Sequence, residues 1–507
     1  MRASAPLPLL TAVLAAATLL SPASAQNLSD TQLDALKDNL WLAAQQTWEL
    51  GTESQALLES DASPYAVFFN SSLPPPPGNQ SLSDPYSYAA LAPVLQIAYN
   101  AAASRSNSTG PQPVMYAQGG AAGDPASLGV AILLANWTGA PNPPLDVPLN
   151  ATDPRGVNFG QGVTYARAAA EQLEYLLTVV PRTDDGAISH RIEQVQLWAD
   201  FTYMVPPFLA YYAVMTSNQS LLQEAYTQIK LYRSYLLDND EGLWRHILMG
   251  NTNVDTGFWS TGNAWAAAGM TRVLATIQRS PWASSMGSEM SDLTTWITDI
   301  HSGMYQYLDS DTALFHNYAN ETDSTNTGRS FLDASSTSLL ASTVYRLALL
   351  QGIHTHVPDA EKSRKALSAS ASSNGVPSFS SWGTGDGVGP ATSFTATHPS
   401  SVSASSLSSS TATSSYSLPT PSAAVGADLS HFSPQMWLTP VVDPYNWAAQ
   451  GGSSPEGQAF VVEMYAAYRD WVEVGAPGIN AAVRLGPGAP VWSVAVAGIM
   501  AVAMLVC

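Results

Sequence analysis

The sequence predicts an all-α protein whose successive helices pair into hairpins. Apolar residues recur at the three- and four-residue spacing of amphipathic helices through most of the chain. Alternating apolar and polar residues bounded by tight turns, the usual pattern of β-strands, are nearly absent. Turn-rich connections separate the periodic segments, so neighbouring helices can fold back on one another. No fixed repeat length is visible, which argues against a solenoid of near-identical repeats.

The predicted helices follow this spacing in order along the chain. In the last of them, Phe460, Met464, Tyr468 and Trp471 fall on one face after a start signal at Pro455. The predicted segments are residues 31–49, 86–103, 124–136, 161–180, 193–217, 219–237, 262–279, 289–309, 331–352, 356–366 and 456–473.

Composition supports a large core and excludes several classes of protein. The chain has 507 residues, of which 46% are hydrophobic, enough for a core that needs no cross-links. Its formal net charge of −20 argues against a nucleic-acid partner, because such binding depends on Lys and Arg. The single cysteine, Cys507, allows no internal disulfide and no cysteine-based metal site.

The N-terminal segment predicts export from the cell. Arg2 precedes an apolar run at 9–20 and the small residues Ala23-Ser24-Ala25. This order is typical of a signal peptide, which we place at residues 1–25. We therefore expect an extracellular mature protein.

The C-terminal segment predicts a lipid anchor. Residues 491–507 are apolar and uncharged, but they are shorter than the roughly 20 residues of a spanning helix. Together with the small residues Asn480-Ala481-Ala482 they match a glycolipid-anchor signal. We expect attachment at Asn480, removal of 481–507 as the GPI-anchor propeptide, and no other contact with the membrane.

Asn-x-Ser/Thr sequons occur along the chain and predict N-glycosylation of a secreted protein. The sequon asparagines are Asn27, Asn70, Asn79, Asn107, Asn136, Asn150, Asn218 and Asn320.

One long segment has the composition of a disordered, O-glycosylated chain. Residues 366–425 include 27 Ser or Thr and one charged residue, Asp386. Because a helical segment follows at 456–473, we interpret 366–425 as an insertion within one domain, residues 26–480. A linker to a small C-terminal module is the alternative.

Asp200 is the strongest candidate for acid chemistry. It is the only charged residue between Gln194 and Gln223, and its neighbours are mostly apolar. Burial in such surroundings should raise the pKa of its carboxyl group, as a general acid requires. The alternative is a structural Asp that caps a helix beside Pro206-Pro207.

Two Trp-containing segments could bind a sugar. The segment 242–246, Gly-Leu-Trp-Arg-His, precedes a second segment in which Trp259 and Trp265 flank a Gly-Asn turn. Tryptophan offers an apolar face and an N–H donor to a sugar ring. Packing at a helix start is the alternative. His190 and Arg191 lie just ahead of the Asp200 segment.

Metal and phosphate motifs are missing from the sequence. The histidines show neither His-x-x-x-His nor Glu-x-x-His spacing, and no Gly-x-Gly-x-x-Gly loop or Gly-x-Ser-x-Gly elbow occurs. We expect no metal and no cofactor.

These segments together resemble a known family. The segments 197–204, 242–246 and 259–265, with weaker matches at 331–337 and 454–460, are similar to glycoside hydrolase family 105, the unsaturated rhamnogalacturonyl hydrolases. The likeness to the unsaturated glucuronyl hydrolases of family 88 is more distant. The matches keep the family's order, and the chain looks like a secreted, fungal-type member.

The resemblance implies a fold and a reaction. The fold is an (α/α)6 barrel, a toroid of six hairpins with the active site at one mouth. The substrate is a lyase-generated oligosaccharide of pectin type that ends in a 4,5-unsaturated uronic acid. An acid protonates C4, water adds at C5, and the hemiketal collapses to release the sugar. We expect a monomer whose partner is this oligosaccharide.

The resemblance also implies roles for residues of this chain. Asp200 is similar to the family's general acid/base, and Asp124 to the second carboxylate of the site. The residues that match positions lining the sugar pocket are His190, Trp198, Met204, His246, Trp259 and Trp265.

One position departs from the family pattern. Thr261 stands where the family usually has an Arg, which would suit the substrate carboxylate. Either Arg191, Arg245 or protonated histidines supply that charge, or the enzyme takes a different sugar.

Two other functions remain open on the sequence. One is an anchored glycosidase or transglycosidase acting on cell-wall mannan, with Asp184-Asp185 as its catalytic pair. The other is a wall protein that binds glycans without catalysis, for which Thr261 is the supporting feature.

Overall fold

The structure, a computed structural model, describes residues 27–75, 85–105, 108–140, 142, 164–321, 328–371 and 424–479. Several predicted features lie outside these residues: the signal peptide 1–25, the anchor signal with Asn480, most of 366–425, and Asn79, Asn107 and Asn150. The other sequon asparagines are all exposed: Asn27, Asn70, Asn136, Asn218 and Asn320.

Helices dominate the described residues. They are α1 (Asp30–Ala43), α2 (Thr47–Ser60), α3 (Pro85–Ala103), α4 (Gly129–Trp137), α5 (Tyr165–Thr178), α6 (Phe201–Met204), α7 (Pro206–Met215), α8 (Gln219–Leu236), α9 (Ser260–Arg279), α10 (Gly287–Tyr305), α11 (Ala334–Gln351), α12 (Val357–Leu367) and α13 (Pro455–Glu473). Within the described ranges, none combines the length and apolar character needed to cross a bilayer.

The helices form two concentric layers. In the described part of the chain the inner layer runs α2, α4, α6–α7, α9, α11 and α13, and α13 packs back on α2 to close the ring. The helices α1, α3, α5, α8, α10 and α12 pack outside it. Six hairpins of alternating outer and inner helices result. The predicted (α/α)6 barrel is confirmed.

The inner helices are buried along most of their length, as a closed ring requires. Every residue of α9 from Ser260 to Ile277 is buried. At Gly269 a Cβ atom would lie 2.0 Å from the carbonyl oxygen of Thr202. This glycine therefore permits the close approach of α9 and α6.

Side-chain caps fix where several helices begin. Ser29 and Gln32 form a reciprocal capping box at α1. Asp333 caps α11 by accepting hydrogen bonds from the backbone N–H groups of Ser335 and Ser336. Ser454 caps α13 in the same way.

Three short antiparallel strand pairs connect the helices. The pairs are β1 (Leu197–Trp198) with β2 (Ile247–Leu248), β3 (Phe315–His316) with β4 (Leu332–Asp333), and β5 (Val441–Asp443) with β6 (Asn446–Gly451). The first and third pairs carry residues of the site described below.

The two sides of the Ser/Thr-rich segment meet in the structure. Ser370 pairs with Leu429 in an isolated antiparallel bridge, and the N–H of Ala371 donates to the carbonyl of Asp428 at 2.8 Å. Beyond this bridge the chain returns to the barrel, where α13 packs between α11 and α2.

Two predicted helices were wrong in extent. The segment 31–49 is two helices, because Glu49 accepts hydrogen bonds from the N–H groups of Gln45 and Gln46 and starts α2 afresh. The segment 193–217 becomes helical only at Phe201, since Leu197 and Trp198 form β1.

Candidate active site

A cavity of about 340 Å³ opens where the inner helices begin. Inner and outer helices alternate in direction, so all inner helices start at the same mouth. The cavity is lined by Gln46, Trp48, Gly119, Ala121, Asp124, His190, Arg191, Trp198, Asp200, Met204, His246, Trp259, Trp265, Asp443, Pro444, Tyr445, Trp447 and Glu456. All eight predicted catalytic and sugar-binding residues are in this set.

The pairing of β1 with β2 brings Asp200 next to His246. Trp198 lies opposite Ile247, and the N–H of Ala199 donates to the carbonyl of His246 at 2.9 Å. Asp200 then begins α6 with its side chain in the cavity, where Oδ2 lies 3.6 Å from Nε2 of His246. The Asp200 side chain is 15% exposed, so it reaches the cavity from a mostly buried position.

Asp124 is placed by a short 3-10 turn, residues 124–128, before α4. The preceding loop is tied to the Asp200 segment, because the N–H of Ala122 donates to the carbonyl of His190 at 2.7 Å. The Nε2 atom of His190 lies 3.3 Å from Oδ1 of Asp124. Asp124 and Asp200 thus each face a buried imidazole.

Both carboxyl groups titrate at unusually high pH. Burial and the nearby charge of Asp200 raise the pKa of Asp124 to about 7, although Arg191 opposes this. Burial also raises the pKa of Asp200, which His246 partly offsets. In a low-dielectric pocket two neighbouring carboxylates cannot easily both ionise. The pair can therefore hold a proton near neutral pH, as the sequence predicts for Asp200.

His190 is neutral at the same pH. Burial, together with the charges of Arg191 and His246, lowers the pKa of His190 to about 3. The hypothesis that this histidine supplies a cation for the substrate is therefore wrong, because desolvation disfavours its charged form.

Asp255 orients His246. Its Oδ2 lies 2.9 Å from Nδ1 of His246 and also accepts the hydroxyl of Tyr318. Burial opposes ionisation, but the hydrogen bonds from His246, Tyr318 and the N–H of Gly257 lower the pKa of Asp255. Asp255 accepts a hydrogen bond from Nδ1 of His246, which leaves the Nε2 atom of the ring facing Asp200.

Tryptophans form the walls of the cavity. Trp198 stacks on His190 at 4.8 Å, and Trp259 lies 4.3 Å from the ring of His246. Trp447, on the β5–β6 hairpin, meets Trp198 edge-on at 5.4 Å. Such faces suit the apolar side of a sugar ring.

Asn317 links two of these walls. It accepts a hydrogen bond from Nε1 of Trp259 at 2.9 Å, and its own amide donates to the carbonyl of Trp447 at 2.8 Å. The tryptophans are thereby held before any ligand enters.

Part of the chain is similar in sequence to known glycoside hydrolases. Residues 161–400 match the family model of Glycosyl Hydrolase Family 88. A curated relative, the unsaturated rhamnogalacturonyl hydrolase YesR of Bacillus subtilis (strain 168), is 25% identical over 122 residues, or 22% of this chain. The match spans only 36% of that relative's length.

Solved structures of the related family 105 share the fold. A possible family 105 member from Salmonella enterica subsp. enterica serovar Paratyphi A aligns at 14% identity and a TM-score of 0.54, over 87% of this chain and 93% of that one. A family 105 hydrolase of C. acetobutylicum aligns at 12% identity and a TM-score of 0.53, over 87% and 99%. The chain is thus similar in sequence to Glycosyl Hydrolase Family 88 over residues 161–400, and it shares its fold with the solved family 105 structures.

Thr261, where the resemblance to family 105 led us to expect an Arg, is not among the cavity residues. Thr261 is fully buried, and its hydroxyl donates to Oδ2 of Asp333 at 3.0 Å. Arg245 also lies off the cavity wall and pairs with Asp238 at 2.5 Å. Among the described lining residues, Arg191 is the one Lys or Arg.

The alternative acidic pair lies outside the cavity. Asp184 and Asp185 are exposed and are not among the cavity residues. Asp185 accepts hydrogen bonds from Thr183 and Tyr235, which explains its lowered pKa and its place in a turn. In the ranges that the structure describes, no cluster of His, Cys, Asp or Glu could hold a metal ion.

Sequence reasoning missed several residues of the site. Trp48, Tyr445 and Trp447 line the cavity, as does Glu456, and Asp255 supports His246 from behind. Of these residues, only Glu456 could have been found from the sequence, because it lies in the segment 454–460 that resembles family 105.

Proposed function

We propose that the protein is a glycosidase that removes a terminal 4,5-unsaturated uronic acid from lyase-generated oligosaccharides of pectin type. The observation that carries this is the pair Asp124 and Asp200, two carboxyl groups with raised pKa in one aromatic-walled cavity. Similarity to Glycosyl Hydrolase Family 88 over residues 161–400 supports the reaction type. The name of the relative YesR, an unsaturated rhamnogalacturonyl hydrolase, supports the pectin-type substrate.

The proposed chemistry adds one water across the C4=C5 bond. Asp200 donates its proton to C4, which leaves positive charge at C5 and the ring oxygen. The carboxylate so formed on Asp200 accepts a proton from the water that bonds to C5. The resulting hemiketal opens, the bond between C1 and the leaving sugar breaks, and that sugar departs with a hydroxyl group.

Geometry supports Asp200 as the proton donor. Its Oδ2 is buried, has no hydrogen-bond partner among the described residues, and faces Nε2 of His246. A carboxyl oxygen left unpaired at a cavity wall is available to a substrate. The hydrogen bond from His246 to Asp255 keeps the imidazole in one orientation beside it.

The two alternatives have less support. A mannan-acting enzyme would need Asp184 and Asp185, which are exposed and outside the cavity. Burying the carboxyl groups of Asp124 and Asp200 costs stability. A catalytic role explains why the cavity keeps them, and glycan binding without catalysis does not.

The test is loss of the ultraviolet absorbance of the C4=C5 bond in unsaturated oligosaccharides from pectin and from glucuronan. Asp200→Asn should lower kcat at least about 100-fold without changing the melting temperature, since a general acid contributes about that much. Asp184→Asn is the matched carboxylate control. Activity that survives Asp200→Asn but is lost in Asp184→Asn would reverse the assignment.

We also propose that the mature protein is extracellular and held at the cell surface by a GPI anchor. The support is the sequence at both ends and the exposure of Asn27, Asn70, Asn136, Asn218 and Asn320. A phosphatidylinositol-specific phospholipase should release the protein from cells, and a glycosidase for N-glycans should lower its mass. Recovery in the cytosol at unshifted mass would contradict this.

A further inference from the structure

Glu456 is a cavity residue for which the mechanism above has no use. It is the second residue of α13, follows Pro455, and is 3% exposed while lining the same cavity as Asp200. The groups that face its carboxyl are Glu49 from α2, Asp200 from α6, Asp333 before α11, and Trp48, which forms a hydrogen bond with it.

The cavity is poor in positive charge for a site that would hold an anion. Its lining includes four carboxyl groups: Asp124, Asp200, Asp443 and Glu456. Arg191 is the one Lys or Arg among the described lining residues, and its guanidinium already binds Glu193 at 2.6 Å and the carbonyl of Gly119. A uronate that entered with all four carboxyls ionised would be repelled.

We propose that Glu456 binds the carboxylate of the substrate's uronic acid through a hydrogen bond from its own carboxylic acid group. This inference rests on the proposed function, because it names the group that recognises the uronate. It assigns a specificity-determining role to a residue of the last inner helix.

The protonation that this hydrogen bond needs follows from the surroundings of Glu456. Burial raises the pKa of its carboxyl group well above the ordinary value, and the charges of Glu49, Asp200 and Asp333 raise it further. The hydrogen bond from Trp48 opposes this shift without outweighing it. A hydrogen bond from a neutral carboxylic acid to a carboxylate is among the strong, charge-assisted kind.

The position of the residue also suits an anion. The inner helices α2, α9 and α13 all begin at this mouth, and helix N-termini carry partial positive charge. The electrostatic field of these N-termini favours a bound carboxylate. Glu456 adds a hydrogen-bond donor at a defined position.

The test compares an unsaturated uronyl disaccharide with its uncharged methyl ester at pH 6. Rates come from the ultraviolet assay, and affinities from quenching of the cavity tryptophans. Wild type should prefer the acid over the ester. Glu456→Leu, which keeps volume but has no donor, should lower this preference about 10- to 100-fold, mainly through KM, as expected for a hydrogen bond to a charged group.

A conservative variant and a control separate this role from a structural one. Glu456→Gln retains an N–H donor and should keep most of the preference. Glu53→Gln changes another buried carboxyl group, on α2 and outside the cavity, and should leave the preference unchanged. Melting temperatures identify a variant that fails to fold, in which case Glu456→Gln and Glu456→Ala carry the comparison.

Each outcome is decisive. Equal loss for acid and ester in Glu456→Leu, or no loss for either, would overturn the role of Glu456. If wild type hydrates neither compound yet binds the acid more tightly, and Glu456→Leu abolishes that difference, the proposed function falls while this inference stands. If wild type neither hydrates nor binds them, both fall.

Discussion

Asp124 lies in the electrostatic field of Asp200, which it neighbours in the cavity. Asp124 titrates about three pKa units above its ordinary value of 3.8, near 7, and the charge of Asp200 is part of the cause. In such a pair the two titration steps belong to the pair and not to either residue. The protonation of this pair, set by burial rather than by a cation, should control activity.

The pH dependence follows from the direction of these shifts. Below about pH 7 Asp124 retains its proton, and above it the pair loses the proton needed for transfer to C4. We expect kcat/KM to fall about tenfold per unit as pH rises above 7. Rates from pH 5 to 9 test this.

Two variants sharpen the pH test. Asp443→Asn changes a half-buried carboxylate on the cavity rim and should retain the fall above pH 7. Asp124→Asn removes a negative neighbour of Asp200, so the remaining activity should fall at a different pH. A fall at the same pH in Asp124→Asn and wild type would contradict the shared proton.

Residues close in the chain were predictable, and residues brought together by ring closure were not. Trp198 and Asp200 are neighbours in sequence, so their apolar setting was visible. Trp48, Trp447 and Glu456 come from α2, the β5–β6 hairpin and α13, and only the closed ring places them beside Asp200. Asp255 contacts His246 through the chain reversal after β2, which periodicity does not report.

At the scale of elements, α2 is a buried helix that carries carboxyl groups into the protein interior. Its residues from Thr47 to Glu59, except Trp48, are buried, and they include Glu49 and Glu53. Glu49 accepts a hydrogen bond from the N–H of Gln46 at the start of the helix. Neither oxygen of Glu53 has a hydrogen-bond partner among the described residues. Burial and the charge of Glu49 raise the pKa of Glu53 to about 8.

This buried acid should make stability depend on pH. Between its ordinary pKa of 4.5 and about 8, Glu53 is protonated in the folded state and ionised in the unfolded state. The free energy of unfolding therefore falls with rising pH across that window, by about 1.4 kcal/mol per unit from this group. Wild type should melt at a lower temperature at pH 8 than at pH 5.

Glu53→Gln removes the titration and should narrow the gap in melting temperature between pH 5 and pH 8. Glu473→Gln, at an exposed position on α13, is the matched control and should behave as wild type. A gap as wide in Glu53→Gln as in wild type would show that the carboxyl group of Glu53 is not the cause.

Element boundaries were harder to predict than element type. The break between α1 and α2 depends on a capping box made by Gln46 and Glu49, which lacks the usual Ser or Thr. The strand β1 is only two residues long, so the helical spacing around it concealed it. Most other predicted helices agree with the structure to within a few residues because their buried faces are continuous.

At the scale of the whole molecule, charge should slow the capture of an anionic substrate. The formal net charge is −20, and a charged oligosaccharide is repelled over a distance that salt shortens to about 8–10 Å at 0.10–0.15 M. We therefore expect kcat/KM for the unsaturated uronate to rise between low salt and about 0.15 M NaCl.

The methyl ester is the control for this salt effect. Because it is uncharged, its kcat/KM should change little over the same range. A parallel rise for acid and ester would indicate a salt effect on the protein itself, and a fall for the acid alone would mean that local attraction at the cavity outweighs the repulsion.

The closing contact of α13 with α2 has a consequence for synthesis on the ribosome. Until residues 455–473 have left the exit tunnel, the nascent chain presents an open seam along α2 and α11, with apolar faces that only the last inner helix covers. Such non-local closure is slow and exposes the chain to aggregation. Glu456 is part of that same helix. A chain whose translation stops before residue 455 would therefore lack both the helix that closes the ring and a residue that lines the cavity.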